Sequence, residues 1–191
     1  MRAREIFETK ENHLTEYTGD GPLYHGTDLI ALPYIIHSNY LMASIDTNNP
    51  KGVSLTWNKR IAAEFADRSS LIFRDNHYSH FIEFTKDWNL GKPPMTGTVL
   101  ELDIIKLRQH YKLIHYDDDT FFQDDEEEVR VLTPEIRPLS DFLTGIYLNP
   151  ADMHWYAEFL KSAYAAEDHP EGDQTAAYLM ALSKHPLLKA L

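Results

Sequence analysis

Cysteine is absent from this chain, which excludes disulfide bridges, a thiolate nucleophile and a cysteine-ligated zinc, and leaves the redox compartment open. Positive charge is scarce: 18 Lys and Arg against 30 Asp and Glu give a formal net charge of −12 over 191 residues. A field of that sign repels phosphate backbones, so nucleic acid is disfavoured as a partner unless cations gather locally. No window approaches the roughly 18 consecutive apolar residues of a membrane span. The opening stretch MRAREIFETKENH is charged throughout and lacks the apolar run of a secretory signal. These features set the expectation of a soluble, cytoplasmic protein that does not engage membranes. Also missing are a glycine-rich phosphate loop, a Gly-x-Ser-x-Gly elbow and a His-Glu-x-x-His pair, which sets aside phosphate-loop, serine-hydrolase and zinc-hydrolase chemistry.

What is present reads as one α+β domain over residues 1–148 followed by a helical extension over 149–191. Residues 1–20 have the pattern of a short helix ending in the polar turn TGDGP, and LYHGT reads as a strand edge. Asp28 opens DLIALPYIIHSNYLMAS, in which Leu29, Leu32, Ile35 and Ile36 recur at helical spacing, with Pro33 in the first turns where a missing N–H is tolerated. KGVSLTW alternates like a strand. NKRIAAEFADR then predicts a helix capped by Asn58 that buries Ile61, Ala62 and Phe65. HFIEFT and TGTVLELDI predict two core strands around the loop GKPPMTG, EEEVRVL predicts another, and after GIYL the chain changes character. Asn149, Pro150 and Asp152 announce a helix with Met153, Tyr156, Leu160 and Ala163 along one side. A second helix through DQTAAYLMALSKH stops before Pro186, and both helices are expected to pack on the domain.

Three separated stretches carry chemistry. In YHGT, His25 at a strand end offers two ring nitrogens to a hydroxyl or carbonyl, Gly26 permits close approach of a flat ligand to the backbone, and Thr27 adds a hydroxyl. A lone histidine on a strand is more often a satisfied structural residue, so the weight lies in the combination with GVSLT and EEEVRV, in that order. Together the three resemble the motifs of the ADP-ribosyltransferase superfamily. Ser54, Leu55 and Thr56 look like a reduced Ser-Thr-Ser strand followed by the usual helix, and Glu126, Glu127 and Glu128 match a Glu-x-Glu opening a strand. The resemblance covers about Leu23 to Leu148 and implies a split β-sandwich with an NAD cleft. His25 belongs to the His-Tyr-Glu pattern and Ser54 to the Arg-Ser-Glu pattern, so the chain is a hybrid of the two. The tyrosine that would stack on nicotinamide is replaced, and Trp57, Tyr40 and Phe84 are candidate substitutes on aromatic-stacking grounds.

The resemblance implies a mono-ADP-ribosyltransferase using NAD as substrate and a protein as acceptor. As the nicotinamide bond breaks, positive charge grows on the ribose, and a carboxylate beside it stabilises the transition state more than the ground state. Glu128 takes that role, and Glu126 is placed to orient or deprotonate the acceptor. The resemblance gives the adenosine-side ribose to His25 and the carboxamide to the Gly26 backbone, with Ser54 and Thr56 holding the strand edges and the Glu128 carboxylate. Two other readings stand beside it: an RNA 2′-phosphotransferase of the same fold, against which the acidic balance argues, and a non-enzymatic binding or inhibitor module. The acidic run Asp117 to Glu128 has eight carboxylates in twelve residues but lacks the alternating ligands and glycine of a calcium loop, so Asp117 to Asp125 reads as a solvated loop and no metal is expected. The small acidic format fits an effector made inside a bacterium, for instance by a phage.

Overall fold

The computed structural model describes residues 14–29, 31–43, 52–76, 97–116, 128–148, 177–178 and 180–190. HFIEFT, residues 91–96 of GKPPMTG, Phe84, Asp117 to Glu127 and the helix expected from Asn149 lie outside them. In chain order the elements are β1 (Leu14–Glu16), β2 (Leu23–Thr27), α1 (Ala31–Ser38), β3 (Leu41–Met42), β4 (Val53–Thr56) and α2 (Lys59–Asn76). There follow β5 (Thr98–Leu102), α3 (Ile104–His110), β6 (Leu113–Tyr116), β7 (Glu128–Val131), β8 (Glu135–Ile136), a 3-10 turn (Leu139–Asp141), β9 (Leu143–Leu148) and β10 (Leu188–Ala190). Among the described residues eight strands form one sheet in the order β1-β6-β7-β4-β2-β5-β9-β10, and β3 pairs with β8 in a second. The large sheet is antiparallel except for the parallel β9–β10 pair. The architecture is thus mixed α and β, a large and mostly antiparallel sheet with few helices. No helix among the described residues is long and apolar enough to cross a membrane.

Side-chain caps start the helices where the chain leaves a strand. The Ala31 amide donates to Asp28 Oδ1 at 2.7 Å, the Arg60 amide to Asn58 Oδ1 at 3.0 Å, and the Ile105 amide to Asp103 Oδ1 at 2.9 Å. Each satisfies one of the amides that the first turn leaves unpaired. Asn39 adopts φ 58° just past α1, the left-handed conformation asparagine tolerates at a helix end. Its side-chain oxygen accepts from the Ser140 amide at 2.7 Å.

Alternation along the strands separates two faces. One carries Leu23, Val53, Leu55, Leu100, Leu102, Val129, Val131, Ile146 and Leu148, packed with Leu32 of α1, Ile104 and Leu107 of α3, and Phe142. The other is covered by α2, which rests on the sheet through Ala62 and Ala66, both buried. That approach depends on two glycines. A Cβ on Gly26 would lie 1.9 Å from the Ala62 carbonyl oxygen, and one on Gly97 would lie 2.2 Å from the Ala66 Cβ.

The close approach accounts for one departure from the pattern. Phe65, expected inside, is 40% exposed, because only alanine fits where the helix meets bare backbone, and α2 is rotated to put Ala62 and Ala66 inward. Leu14–Glu16 is a strand rather than part of a helix and its turn. It pairs with β6 in the register Leu14 to Tyr116 and Glu16 to Ile114, so the open rim of β6 overrides local preference. The helical residues at 177, 178 and 180–182 end before Pro186, as expected.

Candidate functional site

The GVSLT and EEEVRV stretches are neighbours in space. Ser54 lies opposite Arg130 and Thr56 opposite Glu128, so all four side chains share the α2 face. The Ser54 hydroxyl donates to Glu128 Oε1. The Arg130 guanidinium grips the same carboxylate at both oxygens, Nε to Oε1 at 2.8 Å and Nη2 to Oε2 at 3.2 Å. Arg130 is 7% exposed. A two-pronged contact of this kind fixes the orientation of the carboxylate as well as its position.

His25 joins from β2. Its Nδ1 lies 3.0 Å from the Ser54 carbonyl oxygen. A carbonyl only accepts, so Nδ1 carries the hydrogen and Nε2 of the neutral ring keeps its lone pair. Burial lowers the imidazole pKa below its ordinary value, with the Ser54 hydrogen bond pulling the other way. Strand β2 meets β4 at a single registered pair, Tyr24 with Thr56. Alternation therefore places His25 on the Leu23 face, and Ser54, Thr56 and Glu128 on the opposite one. Ser54 connects the two sides, its carbonyl to His25 and its hydroxyl to Glu128, and no direct contact joins His25 and Glu128 among the described residues.

The other expected site residues have distinct surroundings. The hydrogen at the Gly26 Cα faces α2, which gives this glycine a packing reason independent of any ligand. Thr27 is buried opposite Thr98, whose hydroxyl oxygen has no hydrogen-bond partner among the described residues. Thr56 does not reach Glu128 as expected; its hydroxyl accepts from the Asn58 amide at 3.1 Å, shaping the turn into α2. Trp57 is stacked on Tyr17 with ring centroids 5.5 Å apart and meets the His115 ring edge-on at 5.1 Å. Tyr40 stands beside the β3–β8 pair with the Arg137 guanidinium 5.2 Å above its ring, and no contact among the described residues links it to Ser54 or Glu128. Glu126 lies outside the described residues.

Two groupings went unanticipated. Arg130 was legible as a cation two residues after Glu128 in a strand, a spacing that puts both on one face. The other is a titratable cluster on β2, β5, β9, β10 and the start of α2. Glu101 accepts from the Tyr147 hydroxyl at 2.6 Å, the Thr144 hydroxyl at 2.9 Å and Lys189 Nζ at 3.3 Å. Lys59 Nζ sits 3.2 Å from the centroid of the Tyr147 ring. Burial pushes the Glu101 carboxyl up, but the hydrogen bonds from Tyr147, Thr144 and Lys189 outweigh it and hold the group below the usual carboxylate range. Burial lowers the Lys59 ammonium, against the pull of Glu101 and with the push of Lys189. A charged residue inside the apolar run TVLEL was the signal.

Among the described residues no three His, Asp or Glu side chains gather as a metal site. Comparison with protein-family models, with curated proteins and with solved structures finds no match for this chain.

Proposed function

We propose that the protein transfers ADP-ribose from NAD to a protein acceptor and releases nicotinamide, on a split β-sandwich of the ADP-ribosyltransferase kind. The observation that carries the proposal is the Ser54 hydroxyl bonded to the Glu128 carboxylate across β4 and β7. It joins the middle and late motifs through the atoms the chemistry calls for. Glu128 then faces the ribose as the nicotinamide leaves, takes a hydrogen bond from the 2′-hydroxyl and offsets the charge growing at the anomeric carbon. Ser54 and Arg130 hold the carboxylate still, so little reorganisation is needed when that charge appears. His25, on the opposite face, contributes through its Nδ1 hydrogen bond to the Ser54 carbonyl, which helps hold β4 in place beside Glu128. Glu126 takes the acceptor's proton.

A second reading is favoured by one observation: both Glu128 oxygens are engaged by Arg130. A carboxylate so occupied suits a binding module that holds a ligand without turning it over. Incubation with labelled NAD and a cell lysate separates the readings. The transferase labels protein, and Glu128→Gln lowers the rate by about 100- to 1000-fold while NAD still binds. Undiminished nicotinamide release by Glu128→Gln refutes the assignment. NAD binding by the wild type with neither label nor nicotinamide release identifies the module, and loss of a 2′-phosphate from RNA identifies the phosphotransferase.

A further inference from the structure

A second row of functional groups crosses the same sheet face. Registered partners run from Glu128 to Thr56, from Thr56 to Tyr24, from Tyr24 to Glu101 and from Glu101 to Gly145. With neighbouring strands about 4.8 Å apart, Glu101 lies about 14 Å from Glu128 along this row. The far end is cationic. Lys59 enters from the start of α2 and Lys189 from β10, their ammonium groups 3.2 and 5.0 Å from the Tyr147 ring centroid, with Lys189 also donating to the Tyr147 hydroxyl at 3.2 Å. Gly145 leaves the space that Lys189 occupies, since a Cβ there would lie 2.9 Å from its Nζ.

The charges of this cluster do not cancel. Two ammonium groups face one carboxylate, and Glu101 is already answered by Lys189 and by the hydroxyls of Tyr147 and Thr144. Lys59 has the Tyr147 ring beneath it and no carboxylate within ion-pairing distance among the described residues. The Tyr24 hydroxyl, half-buried in the same row, makes no hydrogen bond among the described residues. An ammonium resting on a π face gives up part of its hydration, and an anion accepting from Lys59 would supply the missing counter-charge, with Tyr24, which shares the Glu101, Tyr147 and Lys189 neighbourhood, as a further donor. In a chain of net charge −12 such a gathering of cations is what an anion needs in order to bind despite the overall field.

We propose that Lys59, Tyr24 and Lys189 form a binding site for the phosphate group of a small molecule, on the α2 face and separate from the Ser54–Glu128 pair. Lys59 supplies the principal charge, Tyr24 a neutral donor, and Lys189 a second cation shared with Glu101. The site does not depend on NAD chemistry at Glu128. A phosphate of either a free inorganic anion or a nucleotide satisfies it.

Calorimetric titration at low ionic strength with inorganic pyrophosphate, and separately with ADP-ribose, tests the site. Saturable binding of pyrophosphate is expected, and ADP-ribose is assigned to this site only to the extent that Lys59→Met weakens its binding. Lys59→Met weakens pyrophosphate binding by about tenfold or more, the size of a lost charge-assisted hydrogen bond, Lys59→Arg retains most of it, and Tyr24→Phe weakens it less than Lys59→Met. Arg60→Met, which removes an exposed cation paired with Glu64, leaves it unchanged, as does Glu128→Gln for pyrophosphate. If Lys59→Met melts well below the wild type, Tyr24→Phe decides. Absence of saturable binding, undiminished binding by Lys59→Met and Tyr24→Phe, or an equal loss in Arg60→Met overturns the proposal.

Discussion

Replacing Gly26 with alanine separates two reasons for a glycine in YHGT. A ligand that needs the bare backbone would make the cost appear only when ligand is present. The structure puts the cost in the folding equilibrium instead. The new Cβ would lie 1.9 Å from the Ala62 carbonyl oxygen, 2.9 Å from the Ala62 carbonyl carbon and 3.0 Å from the Ala66 amide nitrogen. Restoring an ordinary contact of about 3.5 Å moves the α2 backbone outward by about 1.5 Å, since no flexible side chain can yield in its place. Ala62 and Ala66 then lose their seat on the sheet. Overpacking costs about 1 to 3 kcal/mol, and a backbone obstacle sets the expectation near the top, at about 3 kcal/mol. Gly26 does not occupy the left-handed region, so alanine also recovers about 0.4 to 1 kcal/mol by restricting the unfolded chain. The expected net loss is about 2 kcal/mol, read from urea unfolding without ligand. Gly21→Ala is the control, with nothing within 4 Å of its added Cβ. A Gly26→Ala protein as stable as wild type without ligand refutes the packing account.

Two further predictions concern the same strands. Arg130 and Glu128 are a largely buried pair with side-chain exposures of 9% and 17%, and removing one partner strands the other, so Arg130→Met costs about 3 kcal/mol. Adding Glu128→Gln to that variant costs at least about 1 kcal/mol less than it does alone in a double-mutant cycle, and strict additivity would show that the fork does not couple the two. For His25 the sign follows from burial. The folded imidazole titrates below its ordinary value of 6.5, so as pH falls through 6.5 the unfolded chain takes up a proton first and stability declines. Above that value the group makes no pH-dependent contribution. His25→Gln therefore flattens the stability profile on the acid side of 6.5, and parallel profiles for the two proteins across pH 5 to 8 would exclude His25 as the cause.

Local signals in the sequence carried the elements whose boundaries are set locally. Asn58 was legible as a cap because it precedes a periodic apolar run, and β2, β4, β5 and β7 alternate or run apolar with turn residues between them. Strand β1 was not legible, because Leu14–Glu16 becomes a strand only when β6 offers a rim to it. The 3-10 turn and the β3–β8 pair likewise depend on contacts distant in sequence, such as Asn39 with Ser140. In the candidate site, Ser54 with Glu128 could be anticipated from motif order and Arg130 from its spacing to Glu128, whereas the Lys59–Tyr147 contact required the register. The side of the sheet on which His25 stands follows from its one-residue offset from the Tyr24–Thr56 pair, a relation no single stretch of sequence encodes.

Among the described residues, the two rims of the large sheet are strands of three residues, Leu14–Glu16 at one margin and Leu188–Ala190 at the other. Such brief margins give a passing chain little to extend, which guards against end-to-end assembly of sheets. A protein shortened by its last few residues would trade that brief border for the six-residue span of β9, and would present to its neighbours a longer and more adhesive frontier.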